Sequence, residues 1–188
     1  LLVQELLAQM KERVQSGPCF SFSVSYQNHG PYSTELPSGP RHLTPEGSGL
    51  SQESCNIWNN YLNGVAETLQ ALTTLVQGLE EMEEPVVLVF FGDHLPYLGD
   101  NQMAYAELGF TARPEWDALT SYETPYVIWA NDAAADTLNW NEAVAALDLP
   151  EDGVLSASFL GSVLLDLTGR AGESPWFDFL SSLRRIAP

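Results

Sequence analysis

Positive charge is scarce in this chain. Seven Lys and Arg stand against 25 Asp and Glu in 188 residues, a formal net charge of −18. A field of that sign repels phosphate backbones and anionic lipid surfaces, so nucleic acid and an acidic membrane face are excluded as partners. An anionic substrate would need a cation to hold it; for the rest, so acidic a surface serves solubility. Cysteine is equally scarce: Cys19 and Cys55 lie 36 positions apart and form no CxxC pair. That excludes a zinc knuckle and a disulfide-dense scaffold, and leaves one disulfide or two buried thiols. No apolar run reaches the roughly 18 to 20 residues that span a bilayer, and no signal peptide is visible. The chain begins Leu1-Leu2-Val3 without a methionine and is read as an excised piece of something longer. What remains is ordinary. The hydrophobic fraction is 45%, and the length suits a single domain over 1–188.

Periodicity divides the chain into helices and strands. Leu2, Val3, Leu6, Leu7, Met10 and Val14 recur at helical spacing and predict a helix ending near Gly17-Pro18. Phe20, Phe22, Val24 and Tyr26 then alternate with Ser21, Ser23 and Ser25, the pattern of a half-buried strand. It ends at Asn28-His29-Gly30-Pro31-Tyr32. Residues 33–54 are rich in Pro, Gly, Ser and Thr and read as a long surface loop. From Asn56 to Met82, Trp58, Tyr61, Leu62, Val65, Leu69, Leu72, Val76 and Leu79 mark one apolar stripe of a long helix. Further strands are predicted at Val86–Phe91 and Pro125–Asn131, and further helices at about 156–167, capped by Ser156, and 175–186, with Pro175 in the first turn. Strands separated by helical stretches predict an α/β domain, with a largely parallel sheet and helices on both faces.

The segment from Pro85 to Pro96 is the most informative. Its apolar run reads as a strand buried on both faces, and it stops at Gly92 to present Asp93 and His94. Ligands of such sheets bind beyond the carboxyl ends of the strands. In a regular strand the two side chains point to opposite faces, so a shared site requires the chain to leave the pleat at Gly92. Imidazole beside carboxylate suits zinc, manganese or iron better than calcium. The bland alternative makes Asp93 a turn cap and His94 a wall residue. If the two strands ending in histidine motifs are parallel neighbours, His29 and the Asp93-His94 pair emerge on one rim. His42 in the loop reads as solvated or loop-packing, Asn28 as shaping its turn, Tyr32 as a pocket liner, and the five tryptophans as core or wall, Trp116 being also a conceivable sugar platform.

FFGDHLP, with a long helix before it and a strand ending in NHGPY before that, resembles the lipoteichoic acid synthase and phosphoglycerol transferase branch of the sulfatase-like alkaline phosphatase superfamily. ETPYVIWAN and SASFLGSVLLDLTG resemble the family's later strand and closing helix. The resemblance covers roughly residues 15 to 170, in order. It implies an alkaline phosphatase-like fold, incomplete in this chain, and a divalent metal, manganese first, with magnesium or zinc as alternatives. Asp93 and His94 would be metal ligands. His29 would contact the transferred phosphate group, with Asn28 and Tyr32 beside the substrate. A phosphoglycerol or other phosphodiester donor passes its group through a covalent phospho-enzyme.

The pattern is incomplete. The Glu ligand and nucleophilic Thr of the family's N-terminal half have no counterpart here, nor do its preceding membrane helices, so the isolated chain is expected to be nearly inactive. Thr44, Thr73 and Thr74 lie in the loop and long helix. Neither cysteine stands in the CxPxR setting of a formylglycine sulfatase. The parent would act at the outer face of a bacterial cell membrane. A sulfate or phosphate ester hydrolase of the same superfamily, and a non-catalytic extracellular binding module, are the competing readings. A surface meant for the missing half would be apolar and would favour self-association.

Overall fold

The computed structural model describes residues 2–110, 122–150 and 152–186. The chain divides into two compact units. The first comprises Leu1–Gly78 with Phe91–Tyr126, the second Leu79–Phe90 with Val127–Pro188. Each has its own apolar cluster.

The first unit opens with α1, Leu2–Arg13, continued by a tighter turn over Val14–Ser16 that stops at Gly17. At Gly17 φ is +123°, a value only glycine holds cheaply. A short helix, α2, spans Pro45–Ser48, capped by the Thr44 hydroxyl accepting from Gly47 N–H. The predicted surface loop is therefore helical near its end. The long helix α3 runs from Gln52 to Glu80, 29 residues. Its start is fixed twice: the Ser51 hydroxyl accepts from Ser54 N–H at 3.1 Å, and the Glu107 carboxylate accepts from Ser51 N–H at 2.8 Å and from its hydroxyl at 2.9 Å. The Ser51 backbone bond is the main reason the Glu107 carboxyl titrates below its ordinary value. Ile57 of α3, Leu98, and Ala104 of α4 (Met103–Glu107) form the core here, walled by Tyr32, Trp58, Tyr61 and Tyr105.

Two strands are present among the described residues, β1 (Val87–Phe91) and β2 (Tyr126–Ala130), paired with one another. They are antiparallel, since Gly92 N–H donates to Pro125 C=O and Asn131 N–H to Val86 C=O, pairings whose positions run in opposite senses. The expected parallel sheet is thus corrected for this pair. An apolar run reports burial but carries no direction, and the long connection between the strands permits either sense. Burial itself is also less than predicted, as β1 is half-buried and Phe91 is exposed. The strand expected at Phe20–Tyr26 does not form. Among the described residues no ladder partner lies beside it, and Phe20, Phe22, Val24 and Tyr26 are 68–78% exposed. Alternation specifies a face, and the strand state needs a neighbour to supply its hydrogen bonds.

The second unit adds α5 (Asp132–Leu138), α6 (Trp140–Ala146), α7 (Leu160–Leu167) and α8 (Pro175–Arg184). The first two had no predicted counterpart: their Ala, Asn and Asp content carries little apolar periodicity. Asn131 joins this unit together. Its side-chain carbonyl caps α5 by accepting from Ala134 N–H, while its amide faces the carbonyls of Leu79, Met82 and Glu84 just where α3 ends among acidic residues and lacks a basic cap. The core is Leu147, Val163 and Leu167, packed by Ile128, Trp140, Ala143, Leu149 and Leu155. Trp176 departs from its predicted role, being 62% exposed, and Trp116 lies outside the described residues. Both cysteines are free thiols, Cys55 buried and Cys19 exposed.

Candidate functional site

Every site residue read from the sequence lies in the first unit. Residues 33–43 are held against α3 by a row of asparagines at positions 56, 59, 60 and 63, one face of the helix. Asn56 donates to Thr34 C=O at 2.7 Å, and Asn60 to Ser33 C=O at 3.0 Å and Glu35 C=O at 3.1 Å. Asn63 donates to Pro40 C=O at 3.1 Å. Asn59, 2% exposed, accepts from His42 and Leu43 N–H at 2.7 and 2.9 Å and donates back to Leu43 C=O at 2.9 Å. The loop thus satisfies its backbone on side chains. Sequence reasoning passed over this row, although the spacing i, i+3, i+4, i+7 of one polar residue type inside an apolar helix was its signal. Asn59→Ala should leave those half-buried groups without a side-chain partner, at a cost of about 1–3 kcal/mol. Hydrogen exchange checks it: His42 and Leu43 amides should lose protection while the amides of α1 keep theirs.

At the loop's start Asn28 adopts a left-handed backbone, φ +59°, which asparagine tolerates better than most residues. Its amide donates to Tyr61 C=O on α3 at 3.3 Å, and its own carbonyl accepts from the Tyr32 hydroxyl at 2.5 Å. Burial, with Tyr61 and Tyr105 nearby, pushes Tyr32 up to about 12, so the hydroxyl stays a donor. The polar groups of Asn28 and Tyr32 are therefore engaged in shaping the loop. His29, next in the chain, stacks on Tyr26 with ring centroids 4.4 Å apart. Its Nδ1 lies 2.7 Å from Gly30 C=O. A carbonyl only accepts, so Nδ1 carries the proton and Nε2 is the lone-pair nitrogen of the neutral ring.

Asp93 and His94 follow β1 directly. Gly92 remains in the ladder without a positive φ, its carbonyl accepting from the Thr124 hydroxyl at 2.8 Å, so the chain leaves the pleat after it rather than at it. The turn is closed by His94 N–H donating to Asp93 Oδ1 at 2.9 Å. That is the capping role of the bland alternative, and it leaves Oδ2 free of this bond. His94 Nδ1 donates to Leu95 C=O at 2.8 Å, which again assigns the lone pair to Nε2. Nε2 and Asp93 Oδ2 stand 3.6 Å apart, on side chains 63% and 78% exposed. The two histidine rings meet edge to face, centroids 6.5 Å apart. His29, Asp93 and His94 are therefore brought together. His42 is elsewhere, its Nε2 3.1 Å from Asn63 Oδ1 as loop packing requires. Thr73 and Thr74 donate to the carbonyls of Leu69 and Gln70 one turn back, and Thr44 caps α2.

Residues 1–169 match the Sulfatase family model. The chain belongs to the Sulfatase family. Membership brings an alkaline phosphatase-like α/β fold and a family that generally depends on divalent metal. Among curated relatives, the chain is 31% identical over 135 residues to a Rhizobium meliloti (strain 1021) protein named for cyclic beta-1,2-glucan modification, covering 69% of the chain and 20% of that protein. It is 26% identical over 156 residues to an uncharacterized Haemophilus influenzae protein, covering 83% of the chain and 24% of the relative. It is 30% identical over 97 residues to the capsular polysaccharide biosynthesis protein RkpI of R. meliloti, covering 52% and 15%. The chain thus spans about a fifth of the length of these relatives. No solved structure matches it significantly.

The donor set fits part of a divalent metal site. Asp93 offers a carboxylate oxygen and His94 an imidazole nitrogen, and the Leu95 carbonyl orients the ring as an outer-shell partner does. Among the described residues no group of three or more His, Cys, Asp or Glu is placed to hold a metal ion together, so these two are at most a portion of a coordination shell.

Proposed function

We propose that this chain contributes the Asp93-His94 half-site of a metal-dependent phosphotransferase. Its parent moves phosphoglycerol or a related group from a phosphodiester donor, in the manner of the lipoteichoic acid synthase branch, at the outer face of a bacterial membrane. The convergence of His29 on Asp93 and His94 carries this reading, because that trio offers two metal donors and an imidazole to meet an anionic group in one place. The names of two relatives, glucan modification and capsular polysaccharide biosynthesis, favour a carbohydrate acceptor. The largely parallel sheet of the fold, the remaining metal ligands and the nucleophile would come from elsewhere in the parent. Those same parts would cover the exposed Phe20, Phe22 and Val24, which without them favour self-association.

Manganese is the metal we propose. Bound there, a divalent cation supplies positive charge against the negative charge that develops on the transferred group. The residues do the rest. The Asp93 carboxylate and the His94 Nε2 lone pair provide a hard and an intermediate donor on one turn. His29, with Nδ1 committed to Gly30, turns Nε2 to a phosphate oxygen and in its protonated form donates to it. Tyr26 holds the ring in place.

Calorimetry with Mn²⁺ and Zn²⁺ tests the half-site. The wild-type chain should bind weakly, as two donors allow, and Asp93→Ala/His94→Ala should reduce affinity more than about tenfold. Equal binding by both proteins would place the metal elsewhere and remove the reading.

A further inference from the structure

Glycine in the interior of a long helix is unfavourable and needs a reason. Gly64 lies well inside α3 and has one. A Cβ built there would stand 1.9 Å from Asn28 Oδ1, 2.4 Å from its Cγ and 3.2 Å from its Cβ, distances that no side chain tolerates without displacing Asn28. The missing side chain leaves room for Asn28 to lie against the helix and donate to the Tyr61 carbonyl one turn earlier. Asn28 is itself in the left-handed region, where that bond and the Tyr32 hydroxyl hold it. The next residue is His29.

We propose that Gly64 and Asn28 are a matched pair of positioning residues that set His29 against Tyr26 and within 6.5 Å of His94. Any side chain at 64 forces the Asn28 carboxamide to rotate off the helix. The displaced side chain pushes the left-handed turn away from the helix against the hold of the Tyr32 hydroxyl on the residue 28 carbonyl, and the His29 ring leaves its stack with it. The catalytic consequence rests on His29 serving as the phosphate contact proposed above. The positional one rests on geometry alone.

The test is ring-to-ring nuclear Overhauser contact between His29 and Tyr26 in the metal-free chain. With three histidines in all, the His29 signals are assigned by His→Gln substitution of each. The contact should be present in the wild type and lost in Gly64→Ala, while the His42 signals, held by Asn63, persist. Asn28→Gly, which accepts the same φ and carries nothing to clash, should restore the contact in the Gly64→Ala background. Gly78→Ala is the control, since a Cβ there meets Leu7 Cδ1 at 2.5 Å in another part of the helix: it should lower stability and leave His29 unmoved. If Gly64→Ala fails to fold, recovery of both fold and contact in Gly64→Ala/Asn28→Gly supports the pairing. Persistence of the contact in Gly64→Ala, or its absence in the double variant, overturns it. A chain that binds no manganese yet shows this pattern would keep the positioning role and lose the metal reading.

Discussion

Asn131→Ala should be among the most damaging single substitutions in this chain, costing about 3–5 kcal/mol of the second unit's stability. The side chain is fully buried, and each of its polar atoms is used. Oδ1 accepts from Val86 N–H and Ala134 N–H, both at 2.9 Å, joining the lead-in to β1 to the first turn of α5. Nδ2 faces the carbonyls of Glu84 at 2.9 Å, Met82 at 3.2 Å and Leu79 at 3.3 Å. Alanine leaves two buried donors and the three carbonyls without a side-chain partner. The loss of the helix cap alone accounts for roughly 1 kcal/mol, and each orphaned donor adds about 1–3 kcal/mol where water cannot reach it. Asn131→Asp separates the two halves of the network. It keeps an acceptor for Val86 and Ala134 but turns a second oxygen toward three carbonyls, so it should recover little. Urea unfolding followed at Trp140 measures both, and hydrogen exchange at Val86 and Ala134 localises the loss. A cost below about 1 kcal/mol for alanine would mean that the end of α3 is held by other contacts.

The parts of this structure that were legible in the sequence are those decided by local pattern. The apolar stripe from Trp58 to Leu79 gives α3, Pro175 starts α8, and the run before Gly92 gives β1. Direction and partnership were not legible. Phe20 to Tyr26 alternates whether or not a neighbouring strand exists, and the pairing of β1 with β2 reads the same in either sense until hydrogen bonds are seen. The site illustrates the difference. A shared rim for His29 and His94 was inferred from two parallel strands that the described residues do not contain. The histidines meet by another route, through a loop that the asparagines of α3 tie down and that Asn28 anchors beside Gly64. Four asparagines in a helix have poor propensity for it, a local conflict that sequence reasoning passed over and that their bonds to the loop explain.

The second large effect is expected at Arg184, in the last turn of α8. Its side chain is 1% exposed, a cation in the interior of the second unit. One guanidinium nitrogen donates to Leu147 C=O, where α6 ends, and the other to Asp166 Oδ2 on α7 at 2.9 Å. The Ser181 hydroxyl also donates to that oxygen, at 2.9 Å. Three helices thus meet on one charge, and Nε has no hydrogen-bond partner among the described residues. Removing the arginine while Asp166 stays half-enclosed leaves an uncompensated carboxylate and an unpaired Leu147 carbonyl. Arg184→Met should therefore cost about 3–5 kcal/mol. Asp166→Asn should cost less, because an amide oxygen still accepts from both Arg184 and Ser181. The pair itself is another matter. Desolvation of two ions offsets most of their attraction, so Arg184→Met/Asp166→Leu should be much closer to the wild type than the sum of its single changes, with a coupling of about 2 kcal/mol or more. The unpartnered Nε adds to this expectation, since methionine relieves a buried donor that the native fold leaves unsatisfied. A double-mutant cycle by urea unfolding decides it. Additive losses would mean that Arg184 acts through its contact with Leu147 and its packing, with the ion pair to Asp166 contributing nothing of its own.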